Sequence, residues 1–312
     1  MSNRKQSAMN YRMRSPGIYL IAISLIFACS SALHSQSQPR DKVLLVSTAW
    51  LEENLTDSLL VLLHYGMKTD FKEEHIPGAR YVTIWDILEK NDQGLRHELP
   101  DENQLKQVLR SWGINNNSRI VICYQDGNAI PMAARLFYTL DYAGLGEQVS
   151  ILNGGLKAWK QEERILSDEL VPFKEGKVDI KIKDEVRINK EEVLANLDND
   201  GIMIIDARPP ERYYETGEDQ DLKRSGHIPG AVNIPFYDIT RDDSTYLLKD
   251  EEDLRMLFEE HHIQEASKII TYCGTGIWAS PLYLTARLLG YSVRFYDGSF
   301  QEWGNDESLP VQ

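Results

Sequence analysis

One pentapeptide occurs twice in this chain, as His75-Ile-Pro-Gly-Ala79 and His227-Ile-Pro-Gly-Ala231, 152 residues apart. That distance is about the length of one ordinary domain. Each copy runs on into a short apolar stretch that closes on an aspartate, Val82 to Asp86 and Val232 to Asp238. Further along, Arg119-Ile-Val-Ile-Cys-Tyr124 answers Lys268-Ile-Ile-Thr-Tyr-Cys273, and Asn153-Gly-Gly-Leu-Lys-Ala-Trp159 answers Asp297-Gly-Ser-Phe-Gln-Glu-Trp303. Matches in one order over such a length mean a duplicated domain. Whatever this chain folds into must therefore be built twice.

Within each copy, short apolar runs alternate with amphipathic stretches. Asn189, three residues before Glu192, opens a helix with Val193, Leu194 and Leu197 on one face. Ile202 to Ile205 is a continuous apolar run, as expected of a parallel strand covered on both faces. Val232 to Ile234, Ile269 to Thr271 and Val293 to Tyr296 read as further strands. The fold class is α/β: two tandem domains, each a parallel sheet flanked by helices on both faces. We place them at residues 41–165 and 186–312, joined by a charged, aperiodic linker at 166–185 that contains Pro172 and Gly176. A hydrophobic content of 42% supplies two cores, and a net charge of -14 without a basic patch excludes nonspecific nucleic-acid binding.

The first 29 residues differ in kind. Arg4, Lys5, Arg12 and Arg14 precede an almost unbroken apolar run from Gly17 to Ala28, which is too short for a permanent span and suits a secretory signal. It ends Ile26-Phe-Ala-Cys29, similar to a lipobox in which Cys29 is acylated after cleavage. Three fates stay open: a membrane-anchored lipoprotein, a plain secreted or periplasmic protein, and an uncleaved anchor. Each puts the folded part outside the cytoplasm, with the N-terminal anchor as the membrane contact. Cys123, inside an apolar run, reads as a buried structural thiol, and no disulfide framework is indicated.

The chemistry is expected at Cys273. An apolar strand ends there, Gly274-Thr-Gly276 follows, and a helix begins near Ser280 and runs through Ala286 to a stop at Gly290. A strand, a tight loop and a helix N-terminus together aim several amide N–H groups into one small cup that favours an anion. A thiol at its lip is expected to ionise readily and to act as a nucleophile. The competing reading is a buried strand-end cysteine.

Together, the two His-Ile-Pro-Gly-Ala segments, the Asp206-Ala-Arg208 strand end, the Cys-Gly-Thr-Gly loop and the closing segments resemble the tandem-domain rhodanese family of sulfurtransferases. The resemblance covers nearly all of the chain from about Val43. It implies an inactive first domain, where Tyr124 stands in place of Cys273, and a catalytic second domain. It also implies a two-step relay: Cys273 takes a sulfur from a small anionic donor as a persulfide, then passes it to cyanide or a thiol. The resemblance calls for neither a metal nor an organic cofactor. It casts Arg212, Arg208 and the loop residues Gly274, Thr275, Gly276, Ile277 and Trp278 as the donor site. Gly274 and Thr275 resemble the 3-mercaptopyruvate branch, since members that prefer thiosulfate carry basic residues there.

In that branch a loop hydroxyl, a histidine and an aspartate are proposed to relay protons; here the resemblance assigns the first two roles to Thr275 and His75. The aspartate's place, 11 residues before His75, is taken by His64, and Trp278 replaces a small residue. For His75 and His227 the alternative is a turn-fixing role, and for Arg208 an ion pair with Asp206. A phosphatase of the same fold would need an arginine six positions past the cysteine, where Ala279 stands. The rival from another class is a noncatalytic module that carries sulfur, senses redox state or binds a thiol partner.

Overall fold

The apolar runs pair side by side in parallel, because a helix after each strand carries the chain back across the sheet. The structure, a computed structural model, describes residues 44–214, 222–241, 247–265 and 267–312. The leader and Cys29 lie outside the described residues. Among the described residues no helix is long and apolar enough to cross a membrane.

The first domain comprises β1 (Leu45–Val46), α1 (Thr48–Asn54), β2 (Leu60–Tyr65), α2 (Lys68–Glu73), β3 (Arg80–Val82), α3 (Glu102–Ser111), β4 (Arg119–Tyr124), α4 (Ile130–Tyr142), β5 (Val149–Leu152) and α5 (Gly155–Gln161). The second repeats the series. It has β6 (Arg187–Ile188), α6 (Lys190–Leu194), β7 (Ile202–Asp206), α7 (Pro210–Tyr213), β8 (Val232–Asn233), α8 (Glu251–Glu260), β9 (Lys268–Tyr272), α9 (Ser280–Leu288), β10 (Ser292–Tyr296) and α10 (Ser299–Trp303). The two five-stranded sheets have orders β1-β5-β4-β2-β3 and β6-β10-β9-β7-β8, one series shifted along the chain.

Register carries the repeat down to single residues. β2 meets β4 from Leu60↔Arg119 to Tyr65↔Tyr124, and β7 meets β9 from Ile202↔Lys268 to Asp206↔Tyr272. Tyr124 thus occupies the place of Cys273, Cys123 that of Tyr272, and His64 that of Asp206. Local signals set the helix ends, although α6 stops at Leu194, which is exposed, so Leu197 lies beyond the helix and only Val193 is buried. Asn189 and Glu192 close a capping box on α6, and Gly290, at φ +85°, ends α9 in the left-handed conformation.

α4 is apolar on nearly every side, and such a helix must be covered on every side. It lies between its own sheet and α9, where Tyr138 stacks on Phe295 at 4.2 Å and meets Tyr283 edge-on at 5.1 Å. One apolar core therefore runs from the first sheet through α4 and α9 to the second. The outer faces keep separate clusters, around Trp159 and Trp303. With a large side chain contributing about 1.5–3 kcal/mol when buried, this shared layer ties the two domains together. The linker belongs to it as well. It has no helix or strand from 166 to 183, yet Ser167 pairs with His75, Gly176 N–H donates to Arg110 O at 2.8 Å, and Val178 is fully buried.

Candidate active site

β9 ends at Tyr272, so Cys273 stands at the carboxyl edge of the second sheet, where ligands of open α/β sheets gather. The chain turns through residues 274–279 into α9, and the N–H groups of Thr275, Ala279 and Gly276 face the sulfur. Phe300 N–H donates to Cys273 O and Gln301 N–H to Gly274 O, each at 2.9 Å, so the first turn of α10 holds the loop from behind. Gly276, at φ +81°, is required by the turn: a Cβ there would lie 3.0 Å from Asp297 O and 3.2 Å from Arg135 Nη1. Gly274 is different. A Cβ there would meet nothing within 4 Å, so its place faces open space.

The acidity of the thiol is a correction. Cys273 is only 1% exposed, and burial pushes its pKa up more strongly than the three amides pull it down, with Asp206 adding to the rise. A cup of N–H groups favours the thiolate, but in a site closed to water desolvation wins. The amides remain in place to hold an anionic sulfur once it forms.

The imidazole at the loop is also a correction. His97 Nδ1 lies 2.9 Å from Thr275 Oγ1. His97 adopts φ +66°, a strained conformation for a residue with a Cβ, costing about 1–3 kcal/mol. Neighbours hold it there. Gln301 bonds Arg96 N–H at 3.0 Å and Arg96 O at 2.8 Å, and Arg135 Nη2 donates to His97 O at 2.8 Å. Burial, then Arg135 and Arg96, lower the His97 pKa below its ordinary value, against Thr275 and Asp297, which raise it.

His75, expected in that role, lies in the outer face of the first domain. Its Nδ1 is 2.6 Å from Phe71 O and its Nε2 3.2 Å from Glu169 O, with the ring stacked on Phe71 at 4.1 Å. His227 repeats the arrangement, stacked on Tyr213 at 3.8 Å with Nδ1 3.1 Å from Tyr213 O. Both histidines fix the turn before Ile-Pro-Gly. His64 is buried beside Phe71, and burial, then His75 and Lys160, lower its pKa to about 4.

Arg208, expected to grip the donor, is already engaged. Its Nε and Nη2 reach Asp206 at 3.0 and 2.6 Å, Nη2 also donates to Gly226 O at 2.7 Å, and the guanidinium lies over Phe300 at 4.1 Å. Its charge still favours a Cys273 thiolate. Arg212 stands half-buried on α7. Of the loop residues, Gly274, Thr275 and Trp278 reach the surface, while Gly276 and Ile277 are buried. The Trp278 ring leans on Phe236, with centroids 5.3 Å apart. Among the described residues no cluster of three or more His, Cys, Asp or Glu is placed to hold a metal ion.

In the first domain the equivalent position is filled. The Tyr124 hydroxyl accepts from Gly154 N–H at 3.1 Å, and the ring is buried. About 10 Å³ remains free beside it, at the lower limit for one water. Cys123 points into the outer core, where burial pushes its thiol far up.

Two stretches, residues 47–162 and 189–306, match the model of the rhodanese-like domain. The 3-mercaptopyruvate sulfurtransferase of Escherichia coli K12 is 30% identical over 279 residues, covering 86% of this chain and 97% of that protein. The thiosulfate sulfurtransferase of Azotobacter vinelandii is 32% identical over 272 residues, covering 86% and 97%. Among solved structures, a 3-mercaptopyruvate sulfotransferase from Escherichia coli superposes with a TM-score of 0.72 at 27% identity, over 82% of this chain and 98% of that one.

Proposed function

Because the chain belongs to the rhodanese family, carrying the domain twice, and is a sulfurtransferase, we propose that Cys273 carries the transferred sulfur as a persulfide. The observation that carries this reading is the convergence of the Thr275, Gly276 and Ala279 amides on Sγ. A persulfide and a developing thiolate are both anionic, and fixed main-chain dipoles in a dry site stabilise them without reorganisation. The deprotonated sulfur attacks the outer sulfur of the donor and a new S–S bond forms. The bond between that sulfur and the rest of the donor breaks, its electron pair leaving on pyruvate enolate or on sulfite. A thiol or cyanide then attacks the outer sulfur and restores the Cys273 thiolate.

Of the two donors, 3-mercaptopyruvate fits better. Its leaving carbon must collect a proton, and Thr275 Oγ1, 2.9 Å from His97 Nδ1, is a hydroxyl able to hand one over. Thiosulfate leaves as sulfite and makes no such demand. Arg212 is the cation we assign to the donor's carboxylate. From the N-terminal sequence alone we further propose export and lipidation at Cys29, which radiolabelled palmitate would detect.

The test is direct. After incubation with 3-mercaptopyruvate, the peptide bearing Cys273 gains the mass of one sulfur and loses it on adding cyanide. A peptide that stays unmodified while product forms overturns the assignment.

A further inference from the structure

Arg135 stands on α4 of the first domain, wholly buried and far in sequence from the catalytic loop. Its Nη1 donates to Gly276 O at 2.9 Å and to Asp297 Oδ1 at 2.6 Å, and its Nη2 to His97 O at 2.8 Å. Asp297, its ion-pair partner, is equally closed to solvent. A fully buried ion pair is seldom worth more to stability than well-packed apolar residues would be. The duplication supplies a control. Arg135 lies four residues past Pro131, and the residue four past Pro281 in α9 is Thr285. Thr285 Oγ1 is buried with no hydrogen-bond partner, so α9 sends no such arm toward the first domain's loop. α9 does reach back, with Arg287 and Tyr283, but to Asp141 on α4 and not to a loop.

We propose that Arg135 is a positioning residue, through which the first domain orients the catalytic loop of the second. Gly276 has no Cβ to restrict it and can fall into several backbone conformations. Anchoring its carbonyl selects the left-handed one, in which its own N–H and that of Thr275 face the sulfur. The same guanidinium holds the carbonyl of His97 and so helps place the imidazole on Thr275. One cation from the domain without a nucleophile thus arranges both the amide cup and the proton-handling pair.

This rests on Cys273 being the nucleophile, and the experiment separates the two claims. We would follow alkylation of Cys273 by iodoacetamide against pH in the full chain, together with melting temperature. The variants are Arg135→Lys and the double change Arg135→Met with Asp297→Asn, which removes both charges so that neither is buried alone. In the double variant the alkylation profile moves to higher pH by about one unit, so the rate near neutrality falls about 10-fold. Arg135→Lys, with a point charge in place of a fork, falls between that variant and wild type. A profile that superimposes on wild type, in a folded protein of lower melting temperature, would reduce Arg135 to a structural residue and overturn the proposal. Should the double variant fail to fold, Arg135→Lys decides by the same criterion. Persulfide formation surviving in Cys273→Ser would instead sink the assignment of the nucleophile and leave the alkylation result standing.

Discussion

At the end of β9 stands a thiol with three amides turned toward it; at the matching end of β4 stands a phenol that accepts from Gly154. The strands arrive in the same register and the closing segments share their pattern, so the backbone up to that point does not separate the domains. The loops do. Six residues lie between Cys273 and α9, and five between Tyr124 and α4. The Tyr124 ring packs against Gly155, and its hydroxyl accepts from Gly154 N–H. The first domain also reaches the second: His97 bonds Thr275, Arg135 bonds Gly276, and the apolar core is shared.

The largest effect that tests this contrast is loss of the thiol. Cys273→Ser lowers turnover by about 10³-fold or more with either donor, and Tyr124→Cys added to it restores nothing. Steady-state assays of the double variant check this, and recovered activity would mean the two loops are equivalent after all. Next in size is a pH effect at His64, which occupies in the first sheet the place of Asp206 in the second. His64 is held neutral in the folded chain down to pH about 4, whereas the unfolded chain takes up its proton near 6.5. Stability present above pH 6.5 is therefore lost as pH falls through this window, by about 3 kcal/mol at most. Urea melts at several pH values measure the slope, and His64→Leu flattens it.

The histidines separate by a smaller margin. His97→Ala lowers turnover with 3-mercaptopyruvate about 100-fold and less with thiosulfate. His75→Ala lowers the melting temperature and leaves the kcat of the folded protein alone. Equal losses from both would break the distinction drawn between them. The smallest expected change is at Arg212: replacement by Ala raises the donor KM about 10-fold with kcat unchanged, read from saturation curves.

Much of the architecture was legible beforehand because its causes are local. Four ordered matches announced the duplication, continuous apolar runs announced buried parallel strands, and Asn189 with Glu192 marked a helix start that the capping box realises. Gly276 was legible as a residue the loop needs, whereas Gly274 proves to sit by open space. His97 was not legible. It lies 178 residues from Thr275 in a segment with no periodicity, and only its left-handed backbone, visible in three dimensions, marks it out. His75 drew the eye because it belongs to the repeated pentapeptide, and repetition there reflects a turn.

The chain's own order of residues thus determined the doubled α/β layout, the strand ends and the loop bearing Cys273, since each follows from periodicity and neighbours a few positions apart. Tertiary structure decided which imidazole meets Thr275, that Arg208 belongs to Asp206, and that Arg135 crosses 141 residues to Gly276. It also decided the acidity of the thiol, because the cost of burying a charge depends on everything that packs around it, and no local pattern encodes that sum.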